Sequence, residues 1–150
     1  MIEVFRELGF EPSVVECRSN NLIISICHGG LWEWLRRNCG IGSNNKQIPG
    51  AFLDLSRRQL NILLYAMADG DGHYTENGSD GAFVYSTTSK LLADQMQEVC
   101  VRLGYTSVMR CDVKDNEKWA DQYAISVHGD TRHQLMPERQ TTRVPYDGRV

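Results

Sequence analysis

The sequence is organised around the stretch LYAMADGDG at residues 64–72 and the helix that leads into it. Ser56 can cap that helix, and Gln59 three residues later completes a capping box. Apolar residues then recur at helical spacing and form one stripe, which consists of Leu60, Leu63, Leu64 and Met67. The pattern therefore predicts a helix that begins after Ser56 and ends within the quoted stretch.

Asp71 lies at the predicted C-terminus of this helix, where Gly72 supplies a left-handed stop. The helix dipole is negative at that end and disfavours a carboxylate by up to about 1 kcal/mol. A divalent cation would reverse the sign, and Asp71 with the free carbonyl oxygens around Gly72 would suit Mg²⁺. The alternative is a solvated Asp–Gly turn that leads into a strand.

The composition is typical of one globular domain, with 150 residues and a net charge of −3. The acidic balance counts mildly against nucleic-acid binding, because phosphate contacts need Lys and Arg, but it leaves room for a local basic face. We expect no membrane partner, since no stretch is long enough to cross a bilayer. The five cysteines form no CxxC pair. With no signal peptide, they predict free buried thiols in a reduced intracellular compartment, cytoplasmic or nuclear.

A weak internal repeat runs through the chain. Residues 3–10 resemble residues 98–105, and each segment precedes a strand, a turn and a second strand that ends in His-Gly, at His28 and His128. The second copy is predicted as helix–strand–strand–helix–strand–strand–helix, whereas the first copy begins only at its second helix. The predicted organisation is a partial first repeat at 1–40, a linker at 41–55, a complete second repeat at 56–136 and a tail at 137–150.

These features resemble the LAGLIDADG (dodecapeptide, DOD-type) homing endonucleases, especially the type nested inside inteins. Residues 64–72 match the motif that names the family, residues 86–93 look like its second hairpin strand and second helix, and residues 46–49 look like the connector between its repeats. The resemblance implies an α+β fold of αββαββα repeats with an antiparallel four-stranded saddle sheet, the first repeat being truncated. Residues 141–150 are similar to the stretch where an intein splicing domain resumes, which implies such a domain as a partner in cis.

The resemblance implies a hydrolase that cuts double-stranded DNA at a specific site with Mg²⁺. In such enzymes two motif helices pack side by side, and each delivers one carboxylate to metal ions that activate water and stabilise charge on the phosphate. Asp71 matches the catalytic metal ligand, with Gly72 beside it, and the small residues Ala66 and Gly70 match the contact between helices. One motif per chain cannot complete this site, so a homodimer or a further segment would have to supply the second.

The resemblance also implies that the sheet faces opposite the core read the DNA major groove. From the alternation of side chains, the candidate contacts are Arg18, Arg110, Lys114, Lys118, Gln122 and Ser126. The alternative for each of them is an ordinary solvated sheet face. Family members often carry a Lys near the end of the fourth strand that helps to order the attacking water. Here His28 and His128 occupy the matching stretches, either in that role or as plain strand-end residues.

Three hypotheses therefore stand beside one another. The first is an active LAGLIDADG endonuclease carried in an intein, supported by the intact Asp71 and Gly72. The second is a catalytically inactive DNA-binding module or intein relic with the same fold, which the lone motif and the missing Lys favour. The third is an unrelated α+β interaction domain in which the internal repeat is a coincidence.

Overall fold

The computed structural model describes residues 2–16, 22–74, 82–114 and 120–128. An N-terminal unit contains α1 (Ile2–Glu7), β1 (Pro12–Glu16), β2 (Leu22–Ile26) and α2 (Gly29–Cys39). A connector follows, with a 3₁₀ turn at Ser43–Asn45 and α3 (Gly50–Leu53). A C-terminal unit contains α4 (Arg57–Asp71), β3 (Gly72–Tyr74), β4 (Phe83–Thr87), α5 (Lys90–Leu103), β5 (Thr106–Asp112) and β6 (Gln122–His128).

The four strands of the C-terminal unit form one antiparallel sheet in the order β3-β4-β6-β5. Its register pairs Tyr85 of β4 with Ile125 of β6, and Arg110 of β5 with Ala124 of β6. The N-terminal unit contributes a two-stranded antiparallel sheet of β1 and β2. The α+β class and the antiparallel four-stranded sheet are thus confirmed, while the last helix predicted for the second repeat falls outside the described residues.

Both long helices of the C-terminal unit begin where the sequence predicts. Ser56 Oγ accepts a hydrogen bond from the Gln59 N–H at 3.4 Å, and Gln59 Oε1 accepts one from the Ser56 N–H at 3.1 Å. Ser89 Oγ accepts the Leu92 N–H at 3.2 Å, and α5 ends at Gly104 with a left-handed φ of 83°. These side chains satisfy N–H groups that the first turn of a helix otherwise leaves unpaired.

The hydrophobic core lies between the pair α4 and α5 and the inner face of the four-stranded sheet. Its fully buried side chains come from both helices and from β4 and β6, and the largest are Phe83, Leu64, Met96, Ile125, Val99 and Val127. The inward-facing residues of the two central strands therefore form one wall of the core. Within the described residues, none of the helices has the length and apolar character needed to span a bilayer.

Gly72 ends α4 for a different reason from the one predicted. Its φ is −89° with ψ 163°, which is extended backbone open to any residue, because α4 runs straight into β3. A Cβ built on Gly72 would meet the Ala68 carbonyl oxygen at 2.5 Å. The glycine therefore permits the first strand residue to pass close against the last helical turn, and the predicted left-handed stop is wrong.

The prediction that the thiols are buried holds for only part of the set. Cys100 is fully buried in α5, Cys39 is half-buried, and Cys27 and Cys111 are exposed. Cys111 was expected to face the core, but β5 is an edge strand and Cys111 lies near its end, where Val113 just beyond it is also exposed. All four thiols are free, and Cys17 lies outside the described residues.

Candidate functional site

Asp71 is the last residue of α4, and its side chain is exposed. Gly72, the next residue, pairs with Tyr85 of β4, so the helix end is held against the second strand of the sheet. Asp71 contributes to the walls of two cavities, of about 670 and 210 Å³. The predicted catalytic carboxylate therefore lies in a concave region between the end of a helix and the edge of the sheet.

The smaller of these cavities, which we call the polar cavity, has the more polar wall of the two. Every residue that lines it has a polar side chain, the set being Ser43, Lys46, Asp71, Tyr85, Ser86, Thr87, Thr88 and Gln122. The Thr88 hydroxyl oxygen is buried without a hydrogen-bond partner among the described residues. A buried polar atom without a partner is costly, so this wall is suited to a ligand or water that accepts or donates a hydrogen bond.

Lys46 is a site residue that sequence reasoning missed. It lines both cavities together with Asp71. Its carbonyl oxygen accepts a hydrogen bond from Ser89 Oγ at 2.6 Å, and the side chain of Gln95 bonds both the N–H and the carbonyl oxygen of Ile48, at 2.8 and 3.0 Å. The connector is thus fixed to the start of α5 and places Lys46 in the lining of both cavities that Asp71 borders. In the sequence, residues 46–49 indicated only a junction.

Tyr85 on β4 lies close enough to Asp71 for the carboxylate charge to affect its phenol. The pKa of the Tyr85 phenol is raised, first by burial and second by the negative charge of Asp71. The phenol therefore stays protonated at neutral pH and keeps a hydrogen-bond donor in the wall of the site. The neighbouring carboxylate Asp69 has a different role, because it accepts a hydrogen bond from the Tyr74 hydroxyl at 2.7 Å. This contact ties α4 to β3, so Asp69 has a structural role.

The predicted interhelix contact lies on an open face of α4. Ala66 and Gly70 are both exposed, Ile62 on the same helix is 53% exposed, and a Cβ at Gly70 would meet nothing within 4 Å. Beside this face runs the larger cavity, whose lining is mostly apolar and comes from α2, the connector, α3 and α4. The face has the small side chains that close approach of another helix requires.

The predicted DNA contacts divide into three groups. Arg110, Gln122 and Ser126 lie on the outer face of the sheet. Along β4 and β6, residues on this face alternate with the more buried residues that face the core, and Arg110 pairs with Ala124 on the outer face. Gln122 also lines the polar cavity with Asp71. Lys114 is exposed just beyond β5, where its N–H donates to Asp121 Oδ1 at 3.1 Å. Arg18 and Lys118 lie outside the described residues.

The two histidines lie elsewhere in the molecule. His28 caps α2, with its Nδ1 accepting the Leu31 N–H at 3.0 Å and its ring against Phe10. It lines an apolar cavity with residues of α1, β2 and α2. His128 pairs with Thr106 at the opposite end of β6 from Gln122. Within one chain, the structure therefore does not bring either histidine to the Asp71 cavities.

The donor set around Asp71 suits one hydrated Mg²⁺ rather than a closed protein cage. In the part of the chain that the structure describes, there is no cluster of three or more His, Cys, Asp or Glu side chains. Mg²⁺ is commonly held by one or two carboxylates while its other ligands are waters and substrate phosphate oxygens. Asp71 is one exposed carboxylate of the kind that such a hydrated ion uses.

The fold and this site define a class of α+β domain in which an acidic helix end lies beside an antiparallel sheet with an open outer face. The profile of the LAGLIDADG-like domain family matches residues 59–138, more than half of the chain. The chain belongs to that family, which comprises homing-endonuclease-type and related DNA-binding nuclease modules. This membership excludes the unrelated interaction domain.

Two curated relatives place similar segments in much larger proteins. The chain is 31% identical over 125 residues to the ATP-dependent DNA helicase Hel308 of Thermococcus kodakarensis, an alignment of 79% of this chain and 11% of that protein. It is 39% identical over 72 residues to an iron–sulfur cluster assembly SufBD family protein of Mycobacterium tuberculosis, covering 47% of this chain and 8% of that protein. The chain thus spans about a tenth of the length of these relatives.

Proposed function

We propose that this chain is a site-specific, Mg²⁺-dependent endonuclease domain that hydrolyses phosphodiester bonds in double-stranded DNA. The observation that carries the proposal is the polar cavity that Asp71 and Lys46 share, at the edge of a sheet in a LAGLIDADG-like domain. The cavity combines an anionic metal ligand, a cation and several hydrogen-bonding side chains, which is the combination that phosphoryl transfer needs.

Each residue of the cavity has a defined role in this proposal. Asp71 and a carbonyl oxygen near Gly72 would hold Mg²⁺, which when bound supplies a Lewis acid for the phosphate and for the water that attacks it. The Lys46 ammonium would offset the negative charge that increases on the phosphate oxygens as the bond breaks. The Tyr85 phenol and the Thr88 hydroxyl can donate hydrogen bonds to those oxygens or to ordered water.

A second carboxylate has to come from outside the described residues. We propose that another motif helix packs on the open face of α4 at Ala66 and Gly70, supplied by a homodimer or by a further segment of the protein. Small residues four apart let two helix backbones approach closely and bring their C-terminal carboxylates together. The molar mass in solution, measured over a range of concentrations, separates the homodimer from the alternative.

We also propose that the domain is carried in an intein. Support comes from the relatives, since similar segments form about a tenth of two proteins named for unrelated functions, DNA helicase and iron–sulfur cluster assembly. An element that inserts into unrelated hosts accounts for that distribution more simply than a shared helicase or assembly function. The partner in cis would then be a splicing domain.

The test is a cleavage selection from a randomised duplex DNA library in Mg²⁺, with Asp71→Asn as the variant and Asp69→Asn as its matched control. We expect Asp71→Asn to lower cleavage by about 100-fold or more while binding persists. Asp69→Asn should cut like the wild type, because an amide oxygen still accepts the Tyr74 hydrogen bond. If Asp71→Asn cut as fast as the wild type, the assigned site would be wrong.

A second candidate function is a DNA-binding module without cleavage. It is favoured by the single acidic motif helix and by the net charge of −3, which weakens phosphate contacts. The same selection decides between the two, because this candidate predicts sequence-specific retention of DNA by the wild type with no Mg²⁺-dependent cutting. The nuclease proposal, in contrast, predicts that Lys46→Met loses most of the cleavage that the wild type shows.

A further inference from the structure

The connector is held on one side by the end of α2. The Gln47 N–H donates to the Cys39 carbonyl oxygen at 3.0 Å, and Gln47 Nε2 donates to the Asn38 carbonyl oxygen at 2.9 Å. The last carbonyl groups of a helix have no partner within the helix, so these bonds satisfy acceptors that α2 leaves free. The connector is therefore attached to the N-terminal unit just before it reaches the core.

On the other side, Gln95 of α5 holds the connector by both backbone polar groups of Ile48. Gln95 Oε1 accepts the Ile48 N–H at 2.8 Å, and Gln95 Nε2 donates to the Ile48 carbonyl oxygen at 3.0 Å. Ile48 is only 4% exposed, and buried backbone groups need a partner within the protein. A carboxamide carries the acceptor and the donor that the two contacts require. Loss of this side chain would leave both groups of Ile48 unpaired.

These bonds determine where the connector passes the Asp71 site. Lys46 lies two residues before Ile48, its carbonyl oxygen is bonded to Ser89 Oγ, and its side chain lines the polar cavity together with Asp71. Gln95 itself is not among the described residues that line either Asp71 cavity. Any effect of Gln95 on that site must therefore pass through the backbone of the connector.

We propose that Gln95 is a positioning residue for the nuclease reaction, because it holds the connector so that Lys46 lies in the wall of the polar cavity. This inference rests on the proposed function, in which Lys46 offsets charge on the phosphate. A displacement of about 1 Å can lower a reaction rate by about 100-fold. Since α5 packs against the inner face of the sheet, loss of the Gln95 bonds should leave the outer face unchanged.

The test is a double-mutant cycle on a duplex DNA that the cleavage selection in Mg²⁺ has enriched. Gln95→Met removes both hydrogen bonds while keeping the length of the side chain. We expect it to lower the single-turnover cleavage rate by about 10- to 100-fold in the wild-type background. In the Lys46→Met background it should change that rate by less than about threefold, because two residues that act as one unit are not additive.

Two further measurements separate positioning from general stability. The dissociation constant for the same DNA without Mg²⁺ should change by less than about threefold in Gln95→Met, which places the loss in the chemical step. Exchange of the Ile48 amide hydrogen should become about 5- to 10-fold faster. The matched control is Gln97→Met on the same helix, since Gln97 is also half-buried and has no hydrogen bond to the connector among the described residues. It should cut and exchange like the wild type.

The outcomes distinguish this inference from the function on which it rests. If Gln95→Met lowered cleavage by the same factor in both backgrounds, Gln95 would not act through Lys46, and the inference would be wrong while the nuclease proposal remained. Unchanged cleavage or unchanged Ile48 exchange in Gln95→Met would overturn it as well. A wild type that cuts no DNA in the selection would overturn the proposed function, and this inference with it.

Discussion

The N-terminal and C-terminal units are built from the same kinds of element but differ in what they bury. All residues of α1 and α2 are at least partly exposed, whereas α4 and α5 contain eleven buried residues between them. Large apolar side chains of the N-terminal unit stay in contact with solvent, with Trp32 61% and Val15 55% exposed. Both units therefore form helices and strands, but among the described residues only those of the C-terminal unit enclose a hydrophobic core.

One dipeptide shows the cause of this difference. Ile24-Ser25 and Ile125-Ser126 occur in corresponding strands, yet Ile125 is completely buried and Ile24 only half so. β6 has strand partners on both sides and two helices above it, while β2 pairs only with β1 in the described structure. Burial of the same side chain therefore depends on neighbouring elements that lie far away in sequence.

The largest test of this comparison truncates one leucine in each unit. Leu64→Ala removes a side chain with no exposed area from the core, and we expect a loss of about 2–5 kcal/mol in the free energy of unfolding. Leu35→Ala in α2 removes one that is 43% exposed, and we expect less than about 1 kcal/mol. Denaturant unfolding followed by circular dichroism measures both. Equal losses would show that the N-terminal unit is packed as tightly as the other.

The second test replaces one glycine in each unit by alanine, because the two glycines differ in the space around them. Gly72→Ala would place a Cβ 2.5 Å from the Ala68 carbonyl oxygen, and the required backbone shift should cost about 1–3 kcal/mol. Gly29→Ala at the start of α2 meets nothing within 4 Å, so we expect a change below about 1 kcal/mol, in the stabilising direction. A tolerated Gly72→Ala would mean that α4 and β3 can separate, and the position of Asp71 would then be adjustable.

These pairs also show which parts of the molecule the sequence could predict. The capping box at Ser56 and the buried stripe of α4 follow from neighbours within a few residues, so periodicity and capping rules predict them correctly. The sequence correctly predicted that α4 ends at Gly72, but for the wrong reason. A glycine is needed there because the backbone passes close to the Ala68 carbonyl oxygen at the junction of α4 and β3. Lys46 was missed, since its place beside Asp71 depends on hydrogen bonds between the connector and α5, more than forty residues apart.

The test with the smallest expected effect compares one cysteine thiol from each unit. Burial raises the pKa of the Cys100 thiol from 9.0 to about 12, so the folded protein keeps that proton after the unfolded chain has lost it. Stability from this group is complete below pH 9 and falls as the pH rises from 9 towards 12, by up to about 1.4 kcal/mol per pH unit. We expect Cys100→Ala to flatten the decline of unfolding free energy over this range. Cys27→Ala, which removes an exposed thiol from the N-terminal unit, should keep the wild-type slope. If unfolding free energy fell with pH at the same slope in both variants, Cys100 would be open to solvent. Burial of thiols would then not distinguish the two units.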